Sequence, residues 1–174
     1  CLELLAAHES ETEDFRYLAA AMKINNDLER VGNLAVTIAE QVLALIHTRK
    51  GRDQQPDLSA MLERVEVMVR QSVEALLTRD VDLAWQIWEE HAGAEEDLRR
   101  VMGSMGNALE KRRGGAGRAM HLARAVMALA MVSESTKDIA EEVIYMREGI
   151  IVKHGGREFR GRRRPAVAEA AEGD

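Results

Sequence analysis

The chain of 174 residues can build one ordinary domain or two small ones. Charged residues, mostly Glu and Arg, make up 31% and aromatics 3%, with only 2 Pro, so helix formers dominate, strand formers are scarce, and an all-α fold is expected. The net charge of -6 argues against nucleic acid as a partner, the single cysteine (Cys1) excludes an internal disulfide and fits a reducing cytoplasm, and no apolar run approaches the roughly 20 residues that cross a bilayer.

Cys1 to His8 reads as the end of a helix, and Ser10 with Glu13 as a capping box for the next one. With no initiator Met and a start in mid-helix, an N-terminal segment is expected to be missing, including any targeting signal it carries. A long helix is expected from about Glu11 to Thr48, on the apolar stripe Phe15, Leu18, Met22, Leu28, Val31, Ala35, Ile38, Val42 and Leu45. Lys50 to Pro56 is polar, carries both Gly and Pro, and is the expected domain boundary. Asp57 can cap a helix with the stripe Leu58, Met61, Leu62, Val65, Met68, Val69 and Leu76. Asp80 can cap another from Val81, carrying Leu83, Ile87, Ala94, Leu98, Val101, Met105 and Leu109; Gly93, Gly103 and Gly106 predict bending or fraying there. After a turn at Arg112 to Gly117, the last helix is expected over Arg118 to Lys153, followed by an Arg-rich, then Ala/Glu-rich tail expected to be disordered.

An internal repeat is present at a shift of about one hundred residues. It lays Leu28-Glu29-Arg30-Val31 on Leu129-Ala130-Met131-Val132, and Ile38-Ala39-Glu40-Gln41-Val42 on Ile139-Ala140-Glu141-Glu142-Val143. Each copy closes a three-helix unit. Residues 1–50 are then the end of a first unit, 57–154 a complete second unit, and 155–174 the charged tail.

The ordered run Lys23-Ile24, Asp27-Leu28-Glu29-Arg30-Val31-Gly32 and Ile38-Ala39-Glu40 resembles the first repeat of the PhoU family. Ile139-Ala140-Glu141-Glu142-Val143-Ile144-Tyr145, then Gly149-Ile150-Ile151-Val152-Lys153-His154, resembles the end of the second. The resemblance implies two tandem antiparallel three-helix bundles, the first incomplete here. It further implies a cytoplasmic adaptor, a homodimer, that restrains a phosphate ABC transporter subunit and its sensor histidine kinase and meets the membrane only through partners.

The family pattern also implies a metal motif in each repeat, an acidic residue and, four positions on, Asp. The first copy reads Glu29-Arg30-Val31-Gly32-Asn33 and the second Ala130-Met131-Val132-Ser133-Glu134, so each keeps one acid of its pair. Glu29 with Asn33, and Glu134 with Asp138, are the residues that would hold a weakly bound divalent ion. Solvated helix-face residues are the better reading, since surface Glu is common.

The five histidines show no i,i+4 pairing and no Glu-x-x-His, so a di-iron bundle site has no support. Trp85, Trp88 and most Met residues read as core. No nucleophile stands near a His, and no Gly-rich loop follows a strand, so no enzymatic activity is expected. Besides the adaptor, the residues leave open a metal-binding bundle protein and a structural helical repeat of the spectrin type with no phosphate role. Nearly every residue from Ala119 to Val132 is apolar, and Met127, Ala130 and Met131 replace polar positions of the first copy. These three are expected to form a contact surface, the alternative being full burial.

Overall fold

The computed structural model describes residues 12–47, 56–110 and 116–152. They form four helices: α1 (Thr12–His47), α2 (Ser59–Thr78), α3 (Val81–Glu110) and α4 (Ala116–Glu148). The Cys1–His8 helix end, the Ser10–Glu13 capping box, most of the Lys50–Pro56 boundary and of the Arg112–Gly117 turn, and the tail lie outside the described residues. None of the four helices is long and apolar enough to cross a membrane.

Local chemistry sets the helix ends. Asp57 Oδ1 accepts from the Ser59 amide at 2.9 Å, and Asp80 Oδ1 from the Leu83 amide at 3.0 Å, so both expected caps hold otherwise unpaired amides of a first turn. Between α2 and α3 the chain turns at Arg79, a non-glycine residue at φ 55°, and the Asp80 amide returns to the Ala75 carbonyl at 3.0 Å. α4 stops at Glu148, short of the expected Lys153. Gly149 follows at φ 68° and its amide donates to the Tyr145 carbonyl at 2.9 Å, a left-handed cap that a glycine permits. A Cβ there would also lie 2.8 Å from Arg16 Nη1.

α4 is the spine. It packs on α1, α2 and α3; α2 also packs on α3, whereas α1 packs chiefly on α4. Two core clusters stack along it. One lies toward the α2–α3 turn and joins Ile24, Met68, Trp85, Ile87, Ile139 and Val143; the other joins Leu34, Met61, Val65, Val101, Val126 and Leu129. Val126, Ile139, Val143 and Ile144 are fully buried, and each contributes roughly 1.5–3 kcal/mol of transfer free energy. Ser133, Ser135 and Thr136 are buried beside them, and the small hydroxyls of Ser133 and Thr136 donate to carbonyls three residues back, at 2.8 Å each. This lets three helices approach α4 from different sides without orphaning those hydroxyls.

α1 runs antiparallel to α4. Lys23 Nζ bonds Glu142 at 2.8 Å toward one end, while His121 Nδ1 lies 2.9 Å from Gln41 Oε1 and Arg118 donates to the Leu45 carbonyl at 2.7 Å toward the other. Three sequence expectations need correction. On α1 the packed stripe is Ala20, Ile24, Leu34 and Gln41, while Phe15, Leu28, Ala35 and Val42 are exposed, because α4 covers only one of two apolar faces. On α2, Leu62 is 46% exposed and the buried line is Met61, Val65, Met68, Ser72 and Ala75. The helical span of α3 is continuous through Gly93, Gly103 and Gly106, and at Gly93 the Arg64 guanidinium lies 2.7 Å from the position a Cβ would take. Ala116 and Gly117, expected in the turn, are already helical.

Candidate functional site

The densest set of charged groups lies where α4 faces α1 on one side and α3 on the other. The i, i+3, i+4 spacing of Glu134, Lys137, Asp138 and Glu141 puts these four along one face of α4. Glu134 Oε1 accepts from Lys137 Nζ at 2.7 Å, and its Oε2 lies 2.8 Å from His91 Nε2 on α3. Glu141 accepts from the Trp88 indole at 3.2 Å, and Trp88 in turn meets the buried Trp85 edge-on at a centroid distance of 5.9 Å. Both tryptophans therefore serve packing, as expected.

The carboxylates of this face fall into two groups. Burial alone would raise Glu134, but the Lys137 bond and charge, His91 and Arg30 outweigh it and hold the carboxyl below its usual range. Burial opposes the charge on Lys137 as well, and Glu134, Glu141 and Asp138 outweigh it, so the ammonium is held above its usual range. Asp138 goes the other way: burial, then the neighbouring Glu134 charge, push it up. Asp27 on α1 is raised by burial and by Asp138 across the helix pair, and Glu141 chiefly by burial. With Glu142, which bonds Lys23, five acids thus meet Lys23, Arg30, Lys137 and His91.

The other site residues named from sequence are distributed differently. Glu29 and Asn33 are exposed on α1, beside Asn26, Arg30 and Thr37, along an open groove of about 380 Å³. Nothing joins them to Glu134 except the charge of Arg30, one residue from Glu29. Among the described residues no group of three or more His, Cys, Asp or Glu is placed to hold a metal ion. Met127 and Met131 are 46% and 40% exposed and Ala130 is half-buried, while Val126, Ala128, Leu129 and Val132 between them are core. The apolar run is therefore divided, buried on one side and open on the other.

Two features escaped sequence reasoning. His91 sits 43 residues from its partner Glu134; its local spacing points only to Glu95, four residues on and 3.7 Å away. Asp97 is buried between Arg64 Nε at 2.9 Å and Arg100 Nη2 at 2.6 Å, and Arg64 also bonds Glu90, which knits α2 to α3. Burial would raise Asp97, but the two guanidinium bonds hold it low. Its spacing from Arg100 was legible as an i,i+3 pair; its burial was not.

Comparison with known proteins agrees with the sequence resemblance. The PhoU domain model matches residues 1–42 and 58–144. The phosphate-specific transport system accessory protein PhoU homolog of Aquifex aeolicus is 31% identical over 157 residues, covering 88% of this chain and 69% of its own length. PhoU homolog 1 of Thermotoga maritima is 25% identical over 147 residues, covering 84% of this chain, so that the chain spans 63% of that relative. The fold is similar to the crystal structure of PhoU from Pseudomonas aeruginosa, with a TM-score of 0.80 at 22% identity over 86% of this chain and 72% of the other. These relatives are named as accessory proteins of transport, not as enzymes. On the matched helices, motifs and fold together, the chain belongs to the PhoU domain family.

Proposed function

We propose that the chain is a non-enzymatic, cytoplasmic regulator of phosphate uptake that docks helical faces onto a phosphate ABC transporter subunit and its sensor histidine kinase. The observation that carries this reading is the family match in both halves of the chain, to relatives named as phosphate-transport accessory proteins. Docking surface is available on α4, where Met120, Met127 and Met131 are exposed. Met127, Ala130 and Met131 form the contact surface in this reading, for a partner or for a second copy in a homodimer.

The same proposal takes α2, α3 and α4 as one three-helix unit and α1 as the closing helix of another. Its support is the repeat combined with the antiparallel pairing. Shifting Lys23 and Glu142 by one repeat exchanges them for Arg124 and Gln41, and Gln41 is indeed bonded one turn away, at His121. Deleting the gene and reading a phosphate-starvation reporter in phosphate-rich medium tests the function. The expected result is a reporter switched on in the deletion and silenced again when the gene is returned. A reporter that stays silent in the deletion overturns the reading.

A further inference from the structure

At the register of the repeat, the acid positions that the PhoU pattern assigns to a metal read Ala130 and Glu134 on α4 and Glu29 and Asn33 on α1. The one acid-x-x-x-Asp spacing that remains on these two helices, Glu134 with Asp138, has both Glu134 oxygens engaged by Lys137 and His91. On α4 the first acid of the pair is Ala130, and the remaining acid, Glu134, has one oxygen on Lys137 Nζ at 2.7 Å and the other on His91 Nε2 at 2.8 Å. On α1, Glu29 is exposed with Asn33 in place of its partner, and an amide offers one neutral oxygen where a hard cation prefers a carboxylate. We propose that Glu134, clamped between Lys137 of its own helix and His91 of α3, is the centre of a metal-free polar triad that joins α3 to α4, so that this fold needs no divalent ion at that position.

Two observations support this. A cation approaching Glu134 would have to displace the Lys137 ammonium, whose side chain is only 20% exposed, or the His91 ring, at 12%. Arg30 adds a further positive charge from α1, acting on both Glu134 and Asp138. Part of the charge a metal would bring to this acidic face is thus supplied by Lys137 and Arg30.

This inference stands apart from the phosphate reading, because it concerns stability alone. The full chain, purified without chelator, is melted in EDTA and in excess Mn²⁺ or Fe²⁺, and its metal content is measured by elemental analysis. The expected result is the same Tm in all three conditions and substoichiometric metal. Glu134→Gln lowers Tm by a few degrees to the same extent with and without metal. Lys137→Met, which keeps the acid and the apolar stem, also lowers it and serves where Glu134→Gln fails to fold. A Tm raised by Mn²⁺ or Fe²⁺, or stoichiometric metal lost in Glu134→Gln, overturns the inference. So does a Lys137→Met protein as stable as the parent.

Discussion

The two copies of the repeated helix share a sequence pattern and have opposite surroundings. Val143 in α4 is fully buried, and its counterpart Val42 in α1 is 44% exposed; Leu129 is 6% exposed and Leu28 39%. Ala140 is buried and Ala39 exposed, within the same Ile-Ala-Glu motif. The difference lies in the neighbours: among the described residues α4 is packed by three helices and α1 chiefly by one. An apolar stripe therefore specifies that a face is available for burial, while the number of elements around the helix decides whether it is buried. Among the described residues that leaves a row of aliphatic side chains of α1 uncovered, the face that the two-unit proposal assigns to the rest of the first unit.

The comparison is broken most sharply by a charge. Val143→Asp places an unpartnered carboxylate in the core and is expected to destabilise the chain by roughly 4 kcal/mol or more, enough to unfold a marginally stable domain. Val42→Asp is expected to stay within about 0.5 kcal/mol of the parent. Urea denaturation followed by circular dichroism measures both, and similar losses at the two positions would remove the distinction.

A subtler contrast separates two carboxylates. Asp97→Asn leaves Arg64 and Arg100 without their charged partner and is expected to cost about 2 kcal/mol, discounted for the exposure of both arginines. Asp138→Asn removes a like-charge i,i+4 repulsion with Glu134 and is expected to gain about 0.5 kcal/mol at neutral pH. The pH dependence follows in sign. Asp97 is held below its usual range when folded, so its contribution is present above the unfolded value and is lost as pH falls through the folded one. Asp138 is held above its usual range, so its cost is present at neutral pH and disappears as pH falls through that raised value. The gain from Asp138→Asn should accordingly vanish in acid. Stability curves at neutral and acid pH check this, and a gain that persisted in acid would show that charge is not its cause.

Much of this architecture was legible in residue order. Asp57 and Asp80 announced the starts of α2 and α3 because a side-chain acceptor at a helix start acts locally. The Ile-Ala-Glu and Glu-Arg-Val-Gly runs carried the family. What was misread depended on contacts across the chain. Periodicity could not choose between the two apolar faces of α1, and Gln41 lies on the packed face because His121, eighty residues away, meets its amide. Leu62 fits the pattern of α2 but sits at its edge, exposed. Gly149 was visible as a motif residue, yet its role as the cap that ends α4 emerged only from its positive φ. At the candidate site the retained acids Glu29 and Glu134 were identified from sequence, whereas the His91 half of the triad was not, since no spacing rule links residues on different helices.

The central claim, that one copy of the repeated helix is enclosed and the other open, is tested most directly by thiol accessibility. With Cys1 replaced by Ser, single variants Val42→Cys and Val143→Cys of the folded chain are exposed to a thiol reagent without denaturant. The account predicts that the thiol at position 42 reacts at nearly the rate of the unfolded protein, while the thiol at position 143 reacts only as the chain unfolds. Equal protection at the two positions would contradict it.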